Sequence, residues 1–127
     1  MGCTLIEYDK DISLSKALNN IYEEHSIYRS IIVCDNEETV NTVYENLKKE
    51  LSVFKLSNEK DLENFKDSQY RVMIIHFMQM YRYPKLFLKH SFEDGYLWLL
   101  NDLNDLQESC CINQVKSINK KLFVCII

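Results

Sequence analysis

Two stretches of the chain, "SIIVC" at 30–34 and "YRVMIIHF" at 70–77, run apolar with little alternation. A strand with one face in water alternates apolar and polar residues; a strand covered on both faces does not. These runs are too short to be buried helices, so the chain is expected to build a sheet sandwiched between helices. The flanking segments supply those helices. Leu14, Leu18, Ile21 and Tyr22 share one helical face in 13–25, with Ser13 as the cap. Asp35 and Glu38 form a capping box ahead of Val40, Val43, Tyr44, Leu47 and Leu51, which keep a 3.6-residue period.

Shorter elements follow the same alternation. "VFKL" at 53–56 reads as a brief strand, and Leu62 and Phe65 mark a short helix capped at Ser57 or Asn58. "MQMYRYPK" reads as a loop, because Pro84 breaks a helix. "LFLKH" at 86–90 reads as a fourth strand. Residues 92–106 read as a helix behind Ser91 and Asp94, with Phe92, Tyr96, Leu99, Leu100, Leu103 and Leu106 on one face and Gly95 weakening its first turn. "KLFVCII" closes the sheet. The expected fold is one α/β domain over residues 1–127: three layers, with a mostly parallel sheet of about five strands and helices on both faces. Ligands of such sheets bind beyond the strand carboxyl ends. Here those ends carry Cys34-Asp35, Ser57-Asn58, His76-Phe77 and His90-Ser91.

Composition narrows the function. Two Gly in 127 residues leave no Gly-rich phosphate cradle, and the net charge of −4 disfavours strong nucleic-acid binding. Only "NKK" at 119–121 and "YRYPK" at 81–85 offer local basic patches. The five cysteines are odd in number and lack Cys-x-x-Cys spacing, which reads as reduced thiols in an intracellular protein, cytoplasmic or nuclear. The sequence shows no signal peptide or membrane-spanning run. "MGCTLI" has Ile6 where myristoylation wants Ser or Thr, and "VCII" places Cys125 one position too late for prenylation. A chain ending inside a strand is compatible with a piece of a longer protein.

The element order resembles the second RecA-like lobe of DEAD-box-type helicases. That lobe has a strand of the type "IIFCNT" and a helix with "V..L...L", where this chain has "SIIVCDNEETVNTVYENL". Its "F..G..RVLVAT" is matched in order by "LENFKDSQYRVMIIHF". Its "VINYD.P" strand, "YVHRIGRTGR" helix and final "G.AI.LV" are matched by "PKLFLKHSFEDGYLWLLNDLNDL" and "KKLFVCII". The resemblance covers nearly the whole chain and implies a RecA-like fold. It departs from the family where chemistry is done. The arginine-bearing helix is matched by "GYLWLLNDLNDL", without Arg and with Asp102 and Asp105, and aspartates repel phosphate. His76-Phe77 replaces Thr-Asp. "GxxxxGK[ST]" is missing, so autonomous ATP binding is not expected.

Several residues invite a chemical role. Cys34 and His76 lie at neighbouring strand ends with Asp35 beside them, the residue types of an activated thiolate and its orienting acid, yet no nucleophile motif surrounds Cys34. Cys110, Cys111 and His90 make a poor zinc set, and no metal or cofactor is expected. Asp102 and Asp105 are more often a solvated face than an acid/base pair. The aromatic content points to protein binding. Met78, Met80, Tyr81, Arg82 and Tyr83, with Tyr96 and Trp98 on the adjoining helix, are residue types enriched at interface anchors. The leading expectation is a non-catalytic, helicase-lobe-like scaffold or adaptor. The resemblance implies a setting in RNA metabolism, within a ribonucleoprotein complex. The alternatives are a small α/β enzyme or ligand binder using Cys34, Asp35 and His76, and a weak RNA-binding lobe.

Overall fold

The computed structural model describes residues 3–6, 11–83, 96–116 and 122–126. Six strands, β1 (Cys3–Ile6), β2 (Arg29–Cys34), β3 (Val53–Lys55), β4 (Val72–His76), β5 (Tyr96–Asn101) and β6 (Leu122–Ile126), form one sheet in the order β1-β6-β5-β2-β4-β3. Every pairing is parallel. Five helices alternate with them: α1 (Leu14–His25), α2 (Glu37–Leu47), α3 (Lys60–Asp67), α4 (Gln79–Arg82) and α5 (Asp105–Lys116). The expected α/β architecture is therefore present, with six strands where about five were expected.

The unbroken apolar runs divide by parity. Ile31, Val33, Met73, Ile75, Trp98 and Leu100 face Leu62 and Phe65 of α3, Met80 of α4, and Cys111 and Val115 of α5. Ile32, Cys34, Val72, Ile74, Leu97 and Leu99 face Leu18 and Ile21 of α1 and Val40, Val43 and Leu47 of α2. Each central strand thus buries both faces, which is why its sequence does not alternate.

Two arginines fasten the amino-terminal side of this sheet. Arg71, 6% exposed, donates to the carbonyls of Tyr28 and Leu18 and to Asn19 Oδ1, joining β4 to α1. Arg29 donates to the last carbonyls of α3, Phe65 and Lys66, and its guanidinium lies 4.1 Å from the Phe65 ring. A cation at that helix terminus also complements the helix dipole.

Four expectations need correction. Residues 96–101 form a buried strand rather than the middle of a helix, and Asp102, at φ 60°, turns the chain out of it. The late helix is α5, one element further on. Gln79–Arg82 form a short helix where a loop was expected. The cap of α2 is Asn36, whose Oδ1 accepts from Thr39 N at 2.9 Å; the Asp35 carboxylate is held elsewhere. At α3, Asn58 Oδ1 accepts from Asp61 N, and Asp61 Oδ2 accepts from Ser57 N and Asn58 N, so the expected cap region is reciprocal. The strand expected at 86–90, Pro84 and the Ser91/Asp94 pair lie outside the described residues. Among the described residues no helix is long and apolar enough to cross a membrane.

Candidate functional site

In a parallel sheet every strand points its carboxyl end to the same edge, and the following helices begin there. This edge is acidic. Glu37 and Glu38 open α2, Asp61 and Glu63 open α3, and Asp105 and Glu108 open α5, with Asp35 and Asp102 at the ends of β2 and β5. Carboxylates at helix starts complement the helix dipoles. They also set a field that opposes phosphate.

Over the ends of β3 and β4, α2 on one face and α4 on the other part to leave a crevice of about 230 Å³. Glu37, Asn41, Lys55, His76, Gln79 and Arg82 help to line it. Gln79 is buried and satisfied: its Oε1 accepts from His76 N at 3.0 Å and its Nε2 donates to Leu56 O at 2.8 Å. Lys55 Nζ donates to Asn41 Oδ1 and sits 4.7 Å from the Tyr44 ring centre. Burial, aided by the Arg82 charge, lowers the His76 pKa and keeps the imidazole neutral at pH 7.

The Cys34 thiol and the Asp35 carboxylate have hydrogen-bond partners other than His76, which lines the crevice. Cys34 and His76 are register partners on β2 and β4. Yet the Cys34 thiol is buried and faces Asn101, whose Nδ2 lies 3.7 Å from Sγ. Burial pushes that thiol up to about 11; the Asn101 hydrogen bond partly opposes this and the nearby Asp102 adds to it. A neutral thiol near a neutral imidazole is not an activated pair. The Asp35 carboxylate accepts from Gln107 Nε2 of α5 at 3.1 Å, away from the crevice. The zinc set fares no better. His90 lies outside the described residues, and among those described no group of three ligating side chains is placed to hold a metal. Asp102 sits in a turn and Asp105 in the first turn of α5, so they share no helix face.

The seven interface candidates separate by burial. Met78 and Tyr81 are 56% and 50% exposed. Met80 and Trp98 are core, Trp98 completely so in the middle of β5, which overturns its placement on a helix as an interface anchor. Tyr83 donates its hydroxyl to Ser57 O and packs on the core. Tyr96 is half-buried at the amino end of β5, accepting from Arg29 Nη1. Arg82 turns toward the crevice.

What remains at the surface gains a neighbour that sequence reasoning assigned to a buried stripe: Leu106 of α5, 74% exposed. The Cys110 side chain beside the Tyr81 hydroxyl raises the phenol's pKa. Leu106 lies one helical turn before Cys110, on the same side of α5. Phe77 meets Tyr81 edge to face with ring centroids 5.4 Å apart. Met78, Tyr81 and Leu106 are thus exposed apolar side chains on α4, its cap and α5, two helices that meet through Met80 and Cys111, and we treat them as one apolar strip. The only cue to Leu106 in the sequence is its setting, "NDLNDLQES", an apolar residue among polar ones.

No protein-family model matches the chain, and no curated protein matches it at a significant level.

Proposed function

We propose that this chain is a non-catalytic α/β interaction module that docks a protein partner on the α4–α5 strip. In this reading it is a helicase second lobe stripped of its chemistry, working as a scaffold or adaptor in a complex of RNA metabolism. The observation that carries the docking role is the strip itself. Three long apolar side chains stand in water on two adjoining helices, at the edge of a parallel sheet where α/β proteins meet their ligands. Single exposed apolar residues are ordinary; a contiguous group over a firm base is what interfaces use.

The helicase likeness is supported by element order and by where its chemistry is missing. With β5 at Tyr96–Asn101, the family's late strand falls on "YLWLLN" and its arginine-bearing helix on α5. That helix has no Arg, carries its one cation, Lys116, in the last turn, and opens with Asp105 and Glu108, which repel a transferring phosphate. The acidic edge likewise opposes direct RNA binding. Free thiols at Cys34, Cys110 and Cys111 fit a reducing, intracellular setting.

Photo-cross-linking tests the docking role. A photoreactive residue is placed at Tyr81 or Leu106 and, as a control, at Tyr22 on α1, which is also exposed. The expected result is one common protein captured from 81 and 106 and not from 22. Equal capture from all three positions contradicts the proposal. An RNA-handling protein as the captured species supports the RNA setting; any other partner removes that setting and leaves the docking role standing.

The crevice favours a second reading, a small-ligand site over His76, Lys55 and Arg82. A ligand that shifts the His76 ring resonances in NMR supports it; a screen of charged metabolites that leaves them unmoved counts against it.

A further inference from the structure

The partner's chemistry is legible in the charges around the strip. We infer that the α4–α5 surface takes a cationic protein segment with apolar anchors, whose Lys or Arg side chains meet the carboxylates beside Leu106. This rests on the docking role proposed above and specifies the occupant.

Four carboxylates border the strip. Asp102 and Asp105 are exposed on either side of Leu103, Glu108 lies one turn into α5, and Asp35 is brought alongside by its hydrogen bond from Gln107. From residue 102 to residue 115 there is no Lys or Arg. Among the described residues none of these four carboxylates is in an ion pair. The neighbouring cation, Arg82, turns to the crevice on the other side of α4. The helix dipole of α5 accounts for Asp105 and Glu108 and that of α2 for Asp35, which precedes its cap Asn36, but neither accounts for Asp102, which turns the chain after β5. An apolar strip beside carboxylates that no described cation pairs rejects an acidic partner and steers a basic one, while burial of Tyr81 and Leu106 supplies the affinity.

The geometry of the strip suits a helix or extended segment. Met78, which caps α4, and Tyr81 are three residues apart, and Leu106 precedes Cys110, the residue beside the Tyr81 hydroxyl, by one turn. Apolar anchors repeating at i, i+3 or i+4 would reach both helices, and basic residues between them would lie over Asp102 and Asp105.

The probe is a fluorescein-labelled amphipathic peptide of Leu and Lys, read by anisotropy at low and at moderate salt. Two control peptides accompany it, one with every Leu replaced by Ser and one with every Lys replaced by Glu. The expected result is binding that weakens as salt rises and is at least tenfold tighter than for either control. Leu106→Ser and the pair Asp102→Asn with Asp105→Asn each weaken it at least tenfold at unchanged melting temperature. Asn accepts the positive φ of residue 102, so that pair spares the fold. Equal binding of the Ser peptide, equal binding of the Glu peptide, or no binding of the Leu/Lys peptide overturns the inference. A native partner cross-linked from 81 and 106 whose capture ignores the Asp102/Asp105 changes overturns it too, and leaves the docking role intact. Loss of cross-linking from 81 and 106 altogether removes both.

Discussion

The Cys111 thiol donates to Met80 Sδ across 3.2 Å, and both side chains are buried. That contact seats α4, only four residues long, against α5. It separates neighbours with opposite duties: Met80 points into the core and Tyr81 out of it. Met80→Ala is expected to cost about 2–5 kcal/mol, as buried Met truncations do. Tyr81→Ala is expected to leave urea unfolding within about 0.5 kcal/mol of wild type. Equal losses for the two variants would place Tyr81 in the core.

Trp98 carries the same logic to the centre of the sheet. It is fully buried on the face covered by α3, α4 and α5. Trp98→Ala should lower stability by about 3–5 kcal/mol, visible as a large fall in melting temperature. A Trp98→Ala protein that melts like wild type would contradict its place in β5.

The misreading of that segment shows where sequence pattern gives out. Tyr96, Leu99, Leu100 and Leu103 fit a helical period, but "YLWLL" is equally an unbroken buried strand, and periodicity cannot separate the two over so few residues. Its placement is decided by β2, against which it pairs from Arg29↔Tyr96 to Cys34↔Asn101, a long-range fact. Helix α5 was hidden for the opposite reason: its buried residues are only Cys111 and Val115, too few to make a stripe. By contrast β2, β4, α1 and α2 were legible, because their apolar residues lie in long runs or at strict helical spacing; burial follows that pattern except at Tyr22, which is exposed, and α2 ends at Leu47, before Leu51. The exposed apolar residues of the proposed docking strip were half legible. Met78 and Tyr81 stood out by residue type, whereas Leu106 depends on how α5 sits beside α4.

Two buried thiols among the described residues, Cys34 and Cys111, give the fold an alkaline limit. Burial pushes Cys34 up to about 11 and Cys111 up to about 12, the latter also raised by Cys110 and Glu108, from an ordinary 9.0. Above pH 9 the unfolded chain releases these protons while the folded chain keeps them. The unfolded state then binds fewer protons, so stability falls as pH rises, by roughly 1.4 kcal/mol per pH unit for each thiol. This stability is fully present below pH 9 and is lost progressively between about 9 and 12. Urea midpoints at pH 8 and 10.5 should differ accordingly, and Cys34→Val should flatten the fall. The same thiol should react slowly with iodoacetamide at pH 7.5, and rapid His76-dependent labelling would instead restore the enzyme reading.

Arg71 is expected to resist replacement. Its guanidinium reaches Leu18 O, Tyr28 O and Asn19 Oδ1 at once and lies 4.8 Å from the Tyr28 ring centre. Arg71→Met strands these acceptors, at roughly 1–3 kcal/mol for each one left buried without a donor. Arg71→Lys should fail as well, because an ammonium cannot match the planar fork. Arg82→Met, at an exposed position, is the control expected to unfold like wild type.

We propose that Tyr81 and Leu106 are exposed for a partner and not for the fold. Partner capture and thermal melting, measured together on Tyr81→Ala, Leu106→Ser and the double variant, test it most directly. The account predicts melting within a few degrees of wild type, with partner retention at least tenfold weaker for each single change, as loss of about 1.4 kcal/mol at an anchor implies. Retention unchanged in the double variant, or lost only in step with a large fall in melting temperature, would contradict it.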